Sequence, residues 1–165
     1  MVQCRMHQID QLVTRRRLGL LLSGLGIAPV RAQTQKPGTT IHFDVDYKTT
    51  PERIYHTLLD AKQFKECSGL PAEIDPKVGG WFKLFNRQIE GRNVELIPKL
   101  RIVQAWRPSA WPAGVYSIAK FELVPRGSAT RIVFDHAGFA ENLQEHLASG
   151  WTEHYWEPLH KYLNA

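Results

Sequence analysis

From residue 71 to about 136, apolar side chains return at every second position, in segment after segment, with turn residues between them. This alternation is the tightest constraint on the fold. A period of two sends one face of each segment into a core and leaves the other wet, which is the habit of antiparallel strands. Strands read at 81–85, after Gly79-Gly80, at 89–96, after a turn near Asn86-Arg87, and at 101–107, after Ile97-Pro98. Two more read at 115–124 and 130–136, joined by the turn Pro125-Arg126-Gly127-Ser128, with 108–114 as a loop. An earlier strand alternates Ile41, Phe43, Val45 and Tyr47 with His42, Asp44, Asp46 and Lys48.

The period changes twice. Thr50-Pro51-Glu52 opens a helix over about 51–59, with Thr50 as N-cap and Pro51 at the first helical position. A second short helix starts near Asp60 and turns Phe64 inward. The last segment, about 141–163, carries Leu143, Leu147, Trp151, Tyr155 and Tyr162 at helical spacing. Pro158 lies inside it and predicts a kink or break near Tyr155. The order predicts an α+β fold, a curved antiparallel sheet wrapped around one long C-terminal helix.

Parity assigns the faces. Phe82, Leu84, Ile89, Ile102, Trp106, Val115, Ala119, Phe121, Leu123, Ile132 and Phe134 point inward, and the same parity sends Asn93, Glu95, Gln104, Ser117 and His136 in with them. A buried polar group without a partner costs about 1–3 kcal/mol. Two readings stay open. One is a cavity walled by Phe82, Leu84, Trp106, Phe121, Trp151 and Tyr155, with Asn93, Gln104, Ser117 and His136 as polar anchors for a ligand. The other is a dry core in which the polar groups satisfy one another, or in which bulges turn some of them outward. Glu95 and His136 are the catalytic candidates, as an acid–base pair if their strands bring them together. Arg107 stands four residues before Trp111 and could stack on its indole. Cys67, with Lys65 and Glu66 beside it, lacks the electropositive setting of a reactive thiolate.

The first 32 residues have the pattern of an export address. Thr14-Arg15-Arg16-Arg17-Leu18 resembles a twin-arginine signal, a short apolar run continues to Val30, and Val30-Arg31-Ala32 has the small-residue pattern of a cleavage site. The expectation is a signal peptide over 1–32, a linker over 33–39 and one domain over 40–165. The protein would be periplasmic or secreted after cleavage near Ala32, with the twin-arginine export machinery as a partner. The apolar run is too short for a stable membrane span, which takes about 20 residues. The chain carries 21 Lys and Arg against 16 Asp and Glu. Residues 1–32 hold five of those bases (Arg5, Arg15, Arg16, Arg17, Arg31) and one acid, Asp10, which leaves 16 bases and 15 acids after cleavage. The basic balance thus belongs to the address, and the remainder has no basic run of the kind a nucleic-acid binder needs. Cys4 would leave with the leader, and the single remaining thiol, Cys67, can form no internal disulfide. No cysteine pair or histidine spacing reads as a metal site, and no motif calls for a cofactor.

Several ordered motifs resemble a known family. They are Gly79-Gly80-x-Phe82-x-Leu84-Phe85, Ile89-x-Gly91-x-Asn93-x-Glu95-Leu96, Ile102-Val103-x-x-Trp106-Arg107, Trp111-Pro112-x-Gly114-x-Tyr116-Ser117 and Gly150-Trp151-x-x-x-Tyr155-Trp156-x-Pro158-Leu159. Together they resemble the Aha-type branch of the SRPBCC superfamily, named for the activator of the ninety-kilodalton heat-shock chaperone ATPase. The superfamily also holds START lipid-transfer domains and polyketide cyclases. The resemblance covers 40–165 and implies the helix-grip fold, with a deep apolar cavity as the shared feature. Cys67 stands where the family often carries a tryptophan, which implies either a wider cavity mouth or a looser loop over it. The expected function is an exported, non-catalytic binder of a small hydrophobic molecule (a lipid, an aromatic or an isoprenoid). One alternative is a cyclase- or hydrolase-type enzyme in the same cavity. Another, for an unexported chain, is a protein-interaction module like the chaperone activators.

Overall fold

The computed structural model describes residues 39–164, so the expected export signal over 1–32 and all of the expected linker before Thr39 lie outside the described residues. The chain runs β1 (Thr39–Tyr47), α1 (Pro51–Leu59), α2 (Ala61–Ser68), β2 (Glu73–Ile74), β3 (Trp81–Leu84), β4 (Ile89–Ile97), β5 (Arg101–Pro108), β6 (Ser117–Arg126) and β7 (Ala129–Phe139). A short 3₁₀ turn at Glu141–Leu143 leads into α3 (Gln144–Trp151), a π-helical turn (Thr152–Trp156) and α4 (Glu157–Leu163). The strands form one antiparallel sheet in the order β1-β7-β6-β5-β4-β3-β2. The C-terminal helical run lies against its apolar face, which is the predicted helix-grip architecture.

Local chemistry explains the element ends. Thr50 caps α1 by accepting the Arg53 N–H at 3.3 Å, and Asp60 caps α2 by accepting the Gln63 N–H at 2.8 Å. Gly69, at φ 74°, closes α2 in the left-handed conformation. Ile54, Leu58, Leu59 and Phe64 bury the inner sides of these helices. The core is largely aromatic: Phe134 and Trp151 pack at 4.3 Å, Trp151 and Tyr155 at 4.3 Å, and Phe121 and Phe134 at 4.8 Å between ring centroids, all three pairs tilted.

Four features depart from the sequence reading. The first is a bulge in β4. Asn93 pairs with Gln104 but Glu95 pairs with Val103, so Val94 is the extra residue and is half exposed. The bulge turns Glu95 to the outer face, where it makes a two-bond pair with Arg101 (2.7 and 3.1 Å), and sends Leu96 inward. Second, β6 begins only at Ser117, so Val115 is exposed in the preceding loop. Third, Pro125 and Arg126 belong to β6, and the last hairpin turns on Gly127-Ser128 alone, with Gly127 at φ 63°. Fourth, Pro158 does not end the helical run: it falls in the first turn of α4, directly after the π turn (Thr152–Trp156) that interrupts the α-helical pattern around Tyr155, where the irregularity was expected.

The outer face carries charges in a linked series across five strands. Arg101 bridges Glu95 and Glu122, Lys120 bridges Glu122 and Asp135, and His42 touches both Asp135 and Asp44. Arg131 continues the series to Asp44 and Asp46. Pairs this exposed contribute little each, but they keep this part of the sheet wet.

Gly91 shows how closely β3, β4 and β5 approach. A Cβ there would collide with the Ala105 carbonyl and the Phe82 ring edge, neither of which can withdraw without moving the sheet. Gly91→Ala is therefore expected to cost at least about 3 kcal/mol, read as a lowered midpoint of chemical unfolding. Gly150→Ala, in a helix with open space beside it, should instead stabilise by about 0.5–1 kcal/mol.

Candidate functional site

The inward polar groups pair with one another. The Trp151 indole N–H donates to His136 Nδ1 at 2.9 Å, which leaves the imidazole proton on Nε2. That N–H reaches Ser117 Oγ at 2.7 Å, and the Ser117 hydroxyl donates to the Trp106 carbonyl at 2.9 Å. Trp151, His136 and Ser117 are essentially inaccessible to water. Burial pushes the His136 pKa down to about 4, so the ring is neutral at pH 7. A second pair joins Gln104 Nε2 to Asn93 Oδ1 at 3.0 Å, and Asn93 Nδ2 donates to the Asp75 carbonyl at 3.0 Å. The dry-core reading therefore holds for Asn93, Gln104, Ser117 and His136. Around Phe82, Leu84, Gln104 and Phe121 the void is about 10 Å³, roughly what one water needs.

Glu95 and His136 form no acid–base pair. The bulge places Glu95 on the outer face with Arg101, while His136 lies under the sheet with both nitrogens engaged. The cysteine and arginine expectations also change. Cys67 borders a separate void of about 10 Å³ rather than a cavity mouth, and burial pushes its thiol up to about 11. Arg107 lies over the Tyr116 ring at 5.9 Å, not over Trp111, and sits 3.0 Å from Glu90.

The open space lies to one side of the buried network. A cleft of about 420 Å³ opens between α3, the β3–β4 turn and the end of β5. Trp106, Trp151 and Tyr155 are the predicted site residues that line it. Leu70, Phe85, Ile89, Pro108, Ala110 and Leu147 complete the apolar wall, and Gln88, Ser109, His146 and His154 are the exposed polar groups of the rim. No Lys, Arg, Asp or Glu contributes to the lining. Gly150 faces it from inside α3 with nothing within 4 Å of where a Cβ would sit. Phe85, Asn86 and Arg87 all have positive φ, which swings the buried Phe85 ring against Tyr155 at 5.2 Å. Period-two parity could not have found Phe85, because the strand has ended there. The Gly150-Trp151 pair in a helical stretch was the available sign of open space.

Among the described residues, no group of three metal-capable side chains occurs, and no helix is long and apolar enough to cross a membrane.

Because His136 is neutral when folded and titrates near its ordinary 6.5 when unfolded, the unfolded chain binds the extra proton between those values. Stability is constant above pH 6.5 on this account and falls by about 3 kcal/mol as the pH drops to 4. His42, exposed beside Asp135, has its pKa raised and acts in the opposite sense. The difference between wild type and His136→Gln isolates the buried ring: the variant should be less stable at pH 7, with a flatter fall below pH 6.5, in unfolding titrations across pH.

Residues 48–164 match the family described as Activator of Hsp90 ATPase homolog 1-like protein. The chain is 26% identical over 135 residues to Activator of 90 kDa heat shock protein ATPase homolog 2 of Mus musculus, covering 82% of this chain and 41% of that one. It is 23% identical over 137 residues to homolog 1 of Homo sapiens, covering 80% and 40%. The chain thus spans about two fifths of the length of these curated relatives. Among solved structures, an HSP90 activator from Plasmodium falciparum aligns with a TM-score of 0.73 at 26% identity, covering 77% of this chain and 97% of that one. The Aha1 dimer from Colwellia psychrerythraea aligns with a TM-score of 0.65 at 19% identity over 76% and 96%, a likeness of fold alone. The family match begins just after β1 and runs to the end of α4, and the chain belongs to the Activator of Hsp90 ATPase homolog 1-like family.

Proposed function

We propose that this chain is an exported, non-catalytic binding domain that holds a small apolar molecule in the cleft between α3 and the end of β5. The uncharged lining of that cleft carries the reading. Its volume of about 420 Å³ falls in the usual range for small-molecule sites. Its wall is aromatic and aliphatic, and Gly150 keeps the helix from filling it. The separation of Glu95 from His136 removes the acid–base pair on which an enzymatic reading rested. The test is native mass spectrometry of the protein purified from the cell envelope of its native host. A stoichiometric apolar molecule is expected. It should be lost in Gly150→Leu, whose side chain enters the cleft. An empty protein would overturn the reading.

Export rests on Thr14-Arg15-Arg16-Arg17-Leu18 and the stretch ending at Ala32. Replacing both Arg15 and Arg16 by lysine should retain the protein in the cytoplasm with its leader uncleaved. The wild-type periplasmic form should have the mass of residues 33–165, measured on fractionated cells.

A second reading follows from the relatives, which are named as activators of a 90 kDa heat-shock ATPase. The exposed Val115, Tyr116 and Ile118, between 43 and 46% accessible, would then contribute to a protein contact. Stimulation of such an ATPase by the purified chain, together with cytoplasmic localisation, would favour this reading over the first.

A further inference from the structure

The polar groups of the cleft are divided by depth. The inner wall is Phe85, Trp106, Leu147, Trp151 and Tyr155, all buried. Three of these side chains carry a polar atom, and none offers it to the cleft. The Trp151 N–H is spent on His136 Nδ1. Trp106 Nε1 and the Tyr155 hydroxyl have no open surface and turn to each other: burial raises the Tyr155 pKa, and the indole N–H partly offsets that rise. The other buried polar side chains, His136, Ser117, Asn93 and Gln104, bind one another in the core and do not line the cleft. The rim is the reverse. Gln88, Ser109, His146 and His154 are exposed, and among the described residues none of these four side chains has a hydrogen-bond partner in the protein. His146, Gly150 and His154 recur at four-residue spacing and all three face the cleft, so an imidazole stands on either side of the gap that Gly150 leaves in the helix. The His154 ring rests near Phe85, with centroids 6.0 Å apart.

We infer that the ligand is an amphiphile, a largely apolar molecule that enters hydrocarbon end first and holds a hydroxyl-type head at the rim, beside His146, His154, Gln88 and Ser109. This rests on the binding function proposed above and adds the class of the ligand and its direction in the cleft. A polar group carried to the inner end would lose its water and find no partner there. The same group at the rim keeps its water and gains side chains that both donate and accept: neutral imidazole has one nitrogen of each kind, and the Gln88 amide and Ser109 hydroxyl serve in both senses. The hydrocarbon end packs against the aromatic wall, where burial of apolar surface is the driving term. A molecule with polar groups at opposite ends does not suit a site divided in this way.

Two rigid isomers of identical composition test the inference. Naphthalene-2,3-diol carries both hydroxyls on one edge, and naphthalene-2,6-diol carries them at opposite ends. Each is titrated into the folded protein and followed by NMR. The 2,3-isomer keeps both hydroxyls at the rim and is expected to bind about tenfold tighter than the 2,6-isomer, which must bury one of them without a partner. Its unsubstituted ring should give nuclear Overhauser contacts to the Trp106 and Trp151 indoles, and its hydroxyl edge should shift the imidazole signals of His146 and His154. Joint replacement His146→Ala and His154→Ala, at two exposed positions, should weaken the 2,3-isomer several-fold, with unchanged indole signals from the ligand-free variant showing an intact fold. Equal binding of the isomers, or tighter binding of the 2,6-isomer, would overturn the direction of the ligand and leave the binding function standing. Wild-type affinity in the double variant would overturn the assignment of the head group to the imidazoles. Should neither isomer bind, the molecule released from the native-host protein decides: one with a single polar end supports the inference, and one with polar groups at both ends, or with none, overturns it. An empty protein that binds neither isomer would remove the binding function and this inference together.

Discussion

The hydrogen-bonded chain from Trp151 through His136 and Ser117 to the Trp106 carbonyl is the contact on which the arrangement of helix and sheet depends. It joins α3 to β7, β6 and β5 in three steps of 2.7 to 2.9 Å. Apolar packing alone would hold the helix against the sheet but would let it slide, since dispersion and burial are non-directional. Hydrogen bonds in a medium of low polarity are directional, and leaving one unmade is costly. Trp151 can donate only if the imidazole keeps its proton on Nε2, and Nε2 finds an acceptor only if the Ser117 hydroxyl turns to the backbone. One tautomer and one helix position satisfy all three requirements.

That anchoring decides where space is left. The aromatic groups around Trp151 fill the middle of the sheet, leaving voids of about 10 Å³. The helix crosses the end of β5 with Gly150 facing the gap, and the left-handed backbone at 85–87 places the Phe85 ring against Tyr155. The result is a cleft at the side of a dense core. The same residues serve both: Trp106, Trp151 and Tyr155 pack against the core rings on one side and line the cleft on the other. Substitutions there are expected to change the packing of the core and the shape of the cleft together.

Much of this was legible in the residues. Period-two alternation placed the strands, the Thr50-Pro51 and Asp60 caps placed the two short helices, and the spacing of Leu147, Trp151 and Tyr155 placed the helix that the sheet grips. These are local signals, carried by a few neighbouring residues, and they agree with the fold at each point. The polar residues at inward parity were also real, for Asn93, Gln104, Ser117 and His136 are all buried. What parity could not say was whether they faced a ligand or each other. That depends on residues 11 to 19 positions apart meeting in space.

Tertiary structure alone decided three things. The extra residue Val94 reversed the face of Glu95, because one inserted residue flips every later side chain until the register is restored. The π turn let the helical run continue through Pro158. The docking of the helix converted a predicted central cavity into a packed core with a lateral cleft. The sequence by itself determined the fold class and most of the inward-facing residues, since both follow from short-range periodicity. Their roles as partners of one another or as walls of the cleft came from long-range register and packing, which no local pattern encodes.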